Sequence, residues 1–168
     1  MNNYDIMCFL EYYADRTNVR DPITGKRLPT AKWQNFYQRP QSLSIDADID
    51  GTYPYLAFNA AGFGSTTAAS VNNFEVNAAA VAYMVDITEQ AVDGTSLIIA
   101  SLVIQDVGQD AIDPASAEVI SRYIGSVESA SITDTTVNWT INTAIDKKKG
   151  QVPSRKIASN LIGRFIGQ

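Results

Sequence analysis

Alternation of apolar and polar side chains between Thr95 and Ile145 sets the tightest limit on how this chain can fold. Thr95–Asp106 reads TSLIIASLVIQD and puts Ile98, Ala100, Leu102 and Ile104 on one face at period two. Thr136–Ile145 alternates more cleanly, with Val137, Trp139 and Ile141 pointing one way and Asn138, Thr140 and Asn142 the other. Successive side chains leave opposite faces of a sheet, so the pattern predicts half-buried strands. A third apolar run, Val119–Val127, lies between them. The three are read as neighbouring strands of one antiparallel sheet, with Trp139 as its largest core anchor.

The rest of the chain is read around that sheet. Residues 4–14, YDIMCFLEYYA, fit a helix through Ile6, Phe9, Leu10 and Tyr13, but their aromatic content favours a strand. Residues 15–42 lose periodicity and are punctuated by Pro22, Gly25, Pro29 and Pro40. Long structureless excursions in compact domains usually serve function or form interfaces. This one carries Trp33, Phe36 and Tyr37 with Lys32 and Arg39. Aromatic and arginine anchors suit a protein interface; the same rings folding back as a satellite core is the alternative.

SLSIDADID, residues 42–50, alternates as a strand with an acidic outer face, closed by Gly51 and Pro54. Short strands are expected at Tyr55–Phe58 and Val71–Val76, with small-residue loop between. Asn77 is placed to cap a helix from about Ala78 to Gln90, stopped by Asp93-Gly94. Residues 114–124 fit either a helix or a doubly buried strand. A basic loop with Lys147, Lys148 and Lys149 precedes a last strand at Ser159–Ile166. The expected fold is therefore mainly β: an antiparallel β-sandwich or split barrel with one short α-helix and a long N-terminal excursion. Residues 1–168 form one domain, with 15–42 as an extended arm or loop and 43–168 as the β core.

Composition removes several chemistries. A chain of this size buries roughly 70% of its unfolded surface and needs no staples. Histidine is absent and Cys8 is the single cysteine. Those absences remove the commonest general base and any thiolate metal or iron–sulfur site. A net charge of −5 argues against duplex nucleic acid as a partner. No apolar run approaches the ~18 residues of a spanning helix, so membrane insertion is not expected. MNNYDIMCFLEYYADR lacks the basic start and apolar stretch of a secretory leader, which points to folding in a cytoplasm.

Few motifs compete with this picture. Asp46, Asp48, Asp50 and Gly51 reproduce the opening of a calcium-binding EF-hand loop, but Ala57 stands where its closing glutamate belongs. An acidic edge strand explains the same spacing. Gly62 and Gly64 lack the third glycine, at position 67, of a dinucleotide fingerprint. Ser65 and Ser70 have no histidine to activate them. Asn138-Trp139-Thr140 matches a glycosylation sequon and is read as strand. Neither catalytic residues nor a cofactor are expected.

A series of segments then carries a resemblance: YPYLAFNAAGFGSTT, VNNFEVNAAAVAYMV, DGTSLIIASLVIQD, DPASAEVISRYIGSVESASITDTTVNWTINT and GQVPSRKIASN. In this order they resemble the N-terminal domain of the phage minor tail protein L family, tail-tip hub components of long-tailed bacteriophages. The likeness spans roughly two-thirds of the chain, ending on Pro153, Ser154 and Arg155, and leaves out the excursion 16–41. Family members of the L type continue into a cysteine-rich iron–sulfur domain; this sequence has no such cysteines, so no cofactor is implied. The resemblance implies a non-enzymatic virion protein at the tail tip or baseplate, made in a host bacterial cytoplasm. Its partners would be other tail or baseplate proteins and copies of itself, in a threefold or sixfold ring by family analogy. Trp33, Phe36, Tyr37, Arg39, Lys147, Lys148 and Lys149 are the candidate assembly contacts, with the acidic 46–50 face of a neighbouring copy as the lysines' candidate partner. The rival reading is a carbohydrate-binding β-sandwich using Trp33, Phe36 and Tyr37 as stacking platforms.

Overall fold

A computed structural model of the chain describes residues 4–46, 48–63, 74–92 and 95–143. Lys147–Lys149, the Pro153–Arg155 segment and the strand expected at Ser159–Ile166 lie outside the described residues. So do Gly64, Ser65, Ser70 and the Asp93-Gly94 stop.

Among the described residues nine strands and one helix follow one another. They are β1 (Tyr4–Tyr13), β2 (Ala31–Gln34), β3 (Gln41–Ser44), β4 (Asp50–Tyr53), β5 (Phe58–Ala61), β6 (Phe74–Ala79), α1 (Ala82–Ala91), β7 (Leu97–Asp106), β8 (Glu118–Ile132) and β9 (Thr136–Thr143). Seven strands form an antiparallel sheet in the order β2-β1-β7-β8-β9-β6-β5, while β3 and β4 make a separate hairpin. The mainly β, antiparallel fold with one short helix is the one the alternation predicts. β7, β8 and β9 are consecutive neighbours, and Trp139 is 1% exposed at the centre of the core.

The large sheet curls on itself. Trp33 of β2 and Phe58 of β5, from opposite edges, join one apolar cluster with Leu10, Ile98, Val76 and Trp139. Backbone bonds from Gln34 N to Pro54 O and from Leu56 N to Gln34 O, both 3.0 Å, stitch those edges together. The Asn35 amide adds a bond to Phe58 O at 3.2 Å and accepts Cys8 N at 2.8 Å. Helix α1 lies across the interior: Tyr83 stacks on Trp33, and Thr88 accepts the Trp139 indole N–H at 2.9 Å. Glycine is required at position 125, since a Cβ there would collide with the Asn142 carbonyl of β9.

A second layer covers the outside. Leu43, Ile49 and Tyr53 of the hairpin pack on Met7, Phe9 and Val103, with Ile112 closing the cluster. From Met7 to Tyr13 β1 is therefore buried on both faces, which explains why MCFLEYY shows no clean alternation. A strand with two dry faces has no polar face to display.

Several expectations change. The strand expected over 42–50 is a hairpin whose turn holds the acidic residues. The strand expected at Tyr55–Phe58 starts at Phe58, Tyr55 making only an isolated parallel bridge to Gln34. The helix starts at Ala82 rather than Ala78, because Ala78 and Ala79 pair with Val137 and Thr136 of β9. Its N-cap is Val81 with no side-chain cap, and Asn77 instead bonds Asn138 across the sheet. The choice left open at 114–124 falls to strand from Glu118 onward.

Candidate functional site

The excursion is not a protruding arm. Arg20 and Arg27 form an antiparallel bridge, and the Asp21 side chain caps the tip by accepting Ile23 N at 2.7 Å and Thr24 N at 2.8 Å. Asx turns of this kind let a short polar side chain stand in for a strand partner. Thr30 N then bonds Tyr12 O at 2.8 Å and leads straight into β2. The loop thus folds back over the outer face of β1.

An ionic network fixes it there. Glu11 is 3% exposed and accepts the Tyr53 hydroxyl at 2.6 Å, the Tyr13 hydroxyl at 2.8 Å and Arg27 Nη1 at 3.1 Å. Arg27 Nη2 reaches Asp48 at 3.1 Å, and Asp48 also receives Arg20 at 2.7 Å and Arg122 at 3.2 Å. Arg122, on the outer face of β8, pairs in addition with Asp46, while Lys26 meets Asp50 at 2.9 Å. Lys32 donates to Asp50 O at 2.9 Å and sits over the Tyr53 ring. Burial, reinforced by the Glu11 carboxylate, pushes the phenols of Tyr13 and Tyr53 far above their ordinary range. Partial burial opposes the Asp46 carboxylate, yet the Ile49 and Asp48 amides and Arg122 outweigh it and hold its carboxyl low.

Both Glu11 oxygens are occupied by donors from the chain itself, so its chemistry is that of a buried anchor. A buried pair like this is costly to break, because removing one partner strands the other's charge.

The three aspartates of the calcium-like spacing are accounted for in the same way. Asp46 accepts Asp48 N at 2.7 Å and Ile49 N at 2.6 Å, making the hairpin turn, and all three carboxylates face cations of their own chain. Among the described residues no cluster of His, Cys, Asp or Glu is arranged to hold a metal ion. This hairpin arrangement replaces the acidic edge strand that the same spacing suggested. It also weakens the pairing expected between Lys147–Lys149 and this face of another copy, since Arg20, Lys26, Arg27 and Arg122 already neutralise it. An open polar cleft of about 340 Å³ remains beside it, lined by Thr24, Gly25, Lys26, Ser44, Asp46 and Asp50.

The aromatic candidates separate. Trp33 is 4% exposed and belongs to the interior, so it is no anchor on the free surface. Gln34, fully buried, accepts Phe36 N and Tyr37 N at 2.8 Å and donates to Tyr37 O and Arg39 O, which folds QNFYQR into a compact turn. Tyr37 bonds Gln105 and Gln109, and Arg39 donates to Asp110 O, so both tie the turn to the loop after β7. Phe36 remains 40% exposed. A three-ring sugar platform of Trp33, Phe36 and Tyr37 is therefore not assembled.

The sequence motifs left out Leu28 and Ile23, both on the excursion; among the described residues Ile23 is the most exposed large apolar side chain, at 92%. Its signal was an isoleucine inside a turn sequence, DPITG, where burial has no route. No protein-family model matches this chain, and no curated protein matches it in sequence.

Proposed function

We propose that this chain is a virion structural protein, a tail-tip or baseplate hub subunit that links the end of a phage tail tube to central spike or fibre proteins. One observation supports a positional role above a catalytic one. Glu11, Arg27, Asp46, Asp48 and Arg122, the groups best suited to acid–base or cation chemistry, clamp the excursion and the hairpin to the sheet. Their work is to hold a shape. The clamped excursion offers Ile23, Leu28 and Phe36 as exposed apolar contacts for a neighbouring tail protein or another copy, and exposed apolar side chains on a rigid mount are what docking uses. What supports reading the particle as a phage tail is the resemblance of the segment order to the minor tail protein L family.

The test is direct. An antibody against the purified chain should decorate the tail tip of virions from the phage that encodes it, and peptide mass spectrometry should find the chain in washed particles. Particles that lack it, or decoration confined to another part of the virion, would overturn the proposal.

A further inference from the structure

Arg20 and Arg27 are cross-strand partners, two like charges that repel each other unless an anion lies between them. That anion is Asp48. Arg20 Nη2 donates to its Oδ1 at 2.7 Å, Arg27 Nη2 to its Oδ2 at 3.1 Å, and Arg122 Nη1, from β8, to the same Oδ2 at 3.2 Å. Three guanidinium groups thus surround one carboxylate.

Two details set Asp48 apart from the other acids of the network. The turn on which it stands is closed without its side chain: Asp46 Oδ1 accepts Asp48 N and Ile49 N, and Ile45 N bonds Ile49 O at 3.0 Å. Nor does Asp48 satisfy the donors around it. Arg27 Nε is buried without a hydrogen-bond partner, although Nε and Nη2 share the edge of the guanidinium that a carboxylate grips with both oxygens. Asp48 divides its oxygens between arginines instead, and a buried donor left without an acceptor is costly.

We propose that Arg20, Arg27 and Arg122 form a carboxylate-binding site, filled by Asp48 in the isolated chain and by an acidic side chain of a protein partner on docking. The pairs of Arg27 with Glu11 and of Arg122 with Asp46 stay in place during the exchange, so the excursion and the hairpin keep their positions. The site is within reach of a partner. The Arg20 side chain is 47% exposed, and ion pairs this exposed contribute little to stability. The open cleft beside Asp46 gives an arriving side chain a way in. A carboxylate fits better than a phosphate, because Glu11 and Asp46 already share these arginines and repel a second negative charge. Asp48 is tethered beside the site at a high effective concentration, so an acid displaces it only when carried on a chain that docks by other contacts as well. Ile23 and Leu28, exposed on the same excursion, supply apolar ones. This inference does not depend on the tail reading.

The test titrates the full chain with hexaglutamate at fixed ionic strength. Asp48→Ala should bind the peptide about tenfold more tightly than the unsubstituted chain, the factor for a site that Asp48 fills nine-tenths of the time. Asp134→Ala removes an equal charge from the exposed turn between β8 and β9 and should leave the affinity unchanged. Equal affinities in these two variants would overturn the proposal. A second pair leaves the hairpin turn untouched. Arg20→Met should weaken binding to the unsubstituted chain about tenfold, the loss of one charged hydrogen bond. Arg16→Met, at an exposed arginine in no ion pair among the described residues, should not. The same affinity in both would reduce the effect to net charge and overturn the site. On Asp48→Ala, sodium acetate should displace the peptide at lower concentration than sodium phosphate; phosphate matching or surpassing acetate would overturn the carboxylate assignment.

Discussion

From Met7 to Tyr13 the two faces of β1 are equally dry and are kept dry by different means. Inward, Cys8, Leu10 and Tyr12 meet other strands of the same curled sheet. Strand pairing with β2 and β7 already positions the chain there, so apolar packing is enough. Outward, Met7 and Phe9 meet the hairpin, but Glu11 and Tyr13 meet the irregular excursion through charges and hydroxyls. A loop without strand pairing cannot be positioned by apolar contact alone, which has no direction. Ion pairs and hydrogen bonds do have direction, and here they set where the loop lies. Regular chain and irregular chain thus cover one strand with different chemistry.

The largest effects should come from attacking each face at its centre. Glu11→Ala and Trp139→Ala should each lower unfolding free energy by about 3–5 kcal/mol in urea titrations, the first by stranding Arg27 and the second by opening a cavity. The two should then part company: adding Arg27→Met should recover much of the Glu11→Ala loss, and it should do nothing for Trp139→Ala. Recovery in both, or in neither, would break the comparison.

Gly125→Ala tests the ladder that closes the inner face. The new methyl meets backbone of β9 rather than a movable side-chain end, so about 1–3 kcal/mol should be lost in the same titration.

Acid should act on the outer face first. The Asp46 carboxyl is held below its ordinary 3.8, so its contribution is complete above that value and disappears as pH falls through the lower folded value. The urea midpoint should drop between about pH 5 and pH 2. Asp46→Asn keeps an acceptor for the hairpin turn and should reduce that drop by less than about 1 kcal/mol, because the pair with Arg122 is partly exposed. An identical acid profile in the variant would show that Asp46 adds nothing to the clamp.

Much of the inner face was readable from local pattern. β7 and β9 announced themselves through period two, β8 only as an apolar run between them, and Trp139 through its place in that period. Between Ser42 and Asp50 the same rule misled, because Asp46 and Asp48 alternate with apolar neighbours while forming a turn. The helix start misled for a related reason: Ala78 and Ala79 are good helix formers, but pairing with β9 outweighed propensity. Trp33 illustrates the limit at the candidate site. Nothing in AKWQNFYQRP distinguishes a ring facing solvent from one swallowed by a sheet whose far edge arrives more than twenty residues later.

By itself the sequence determined a mainly β body, its three central strands and the core anchor among them, since alternation is a property of neighbours along the chain. The folded structure decided what the charged residues are for. Glu11 finds Tyr53, and Asp46 and Asp48 find Arg122, across separations of 42, 76 and 74 positions. Periodicity carries no record of such distances, and only the curl of the sheet brings those groups within bonding range.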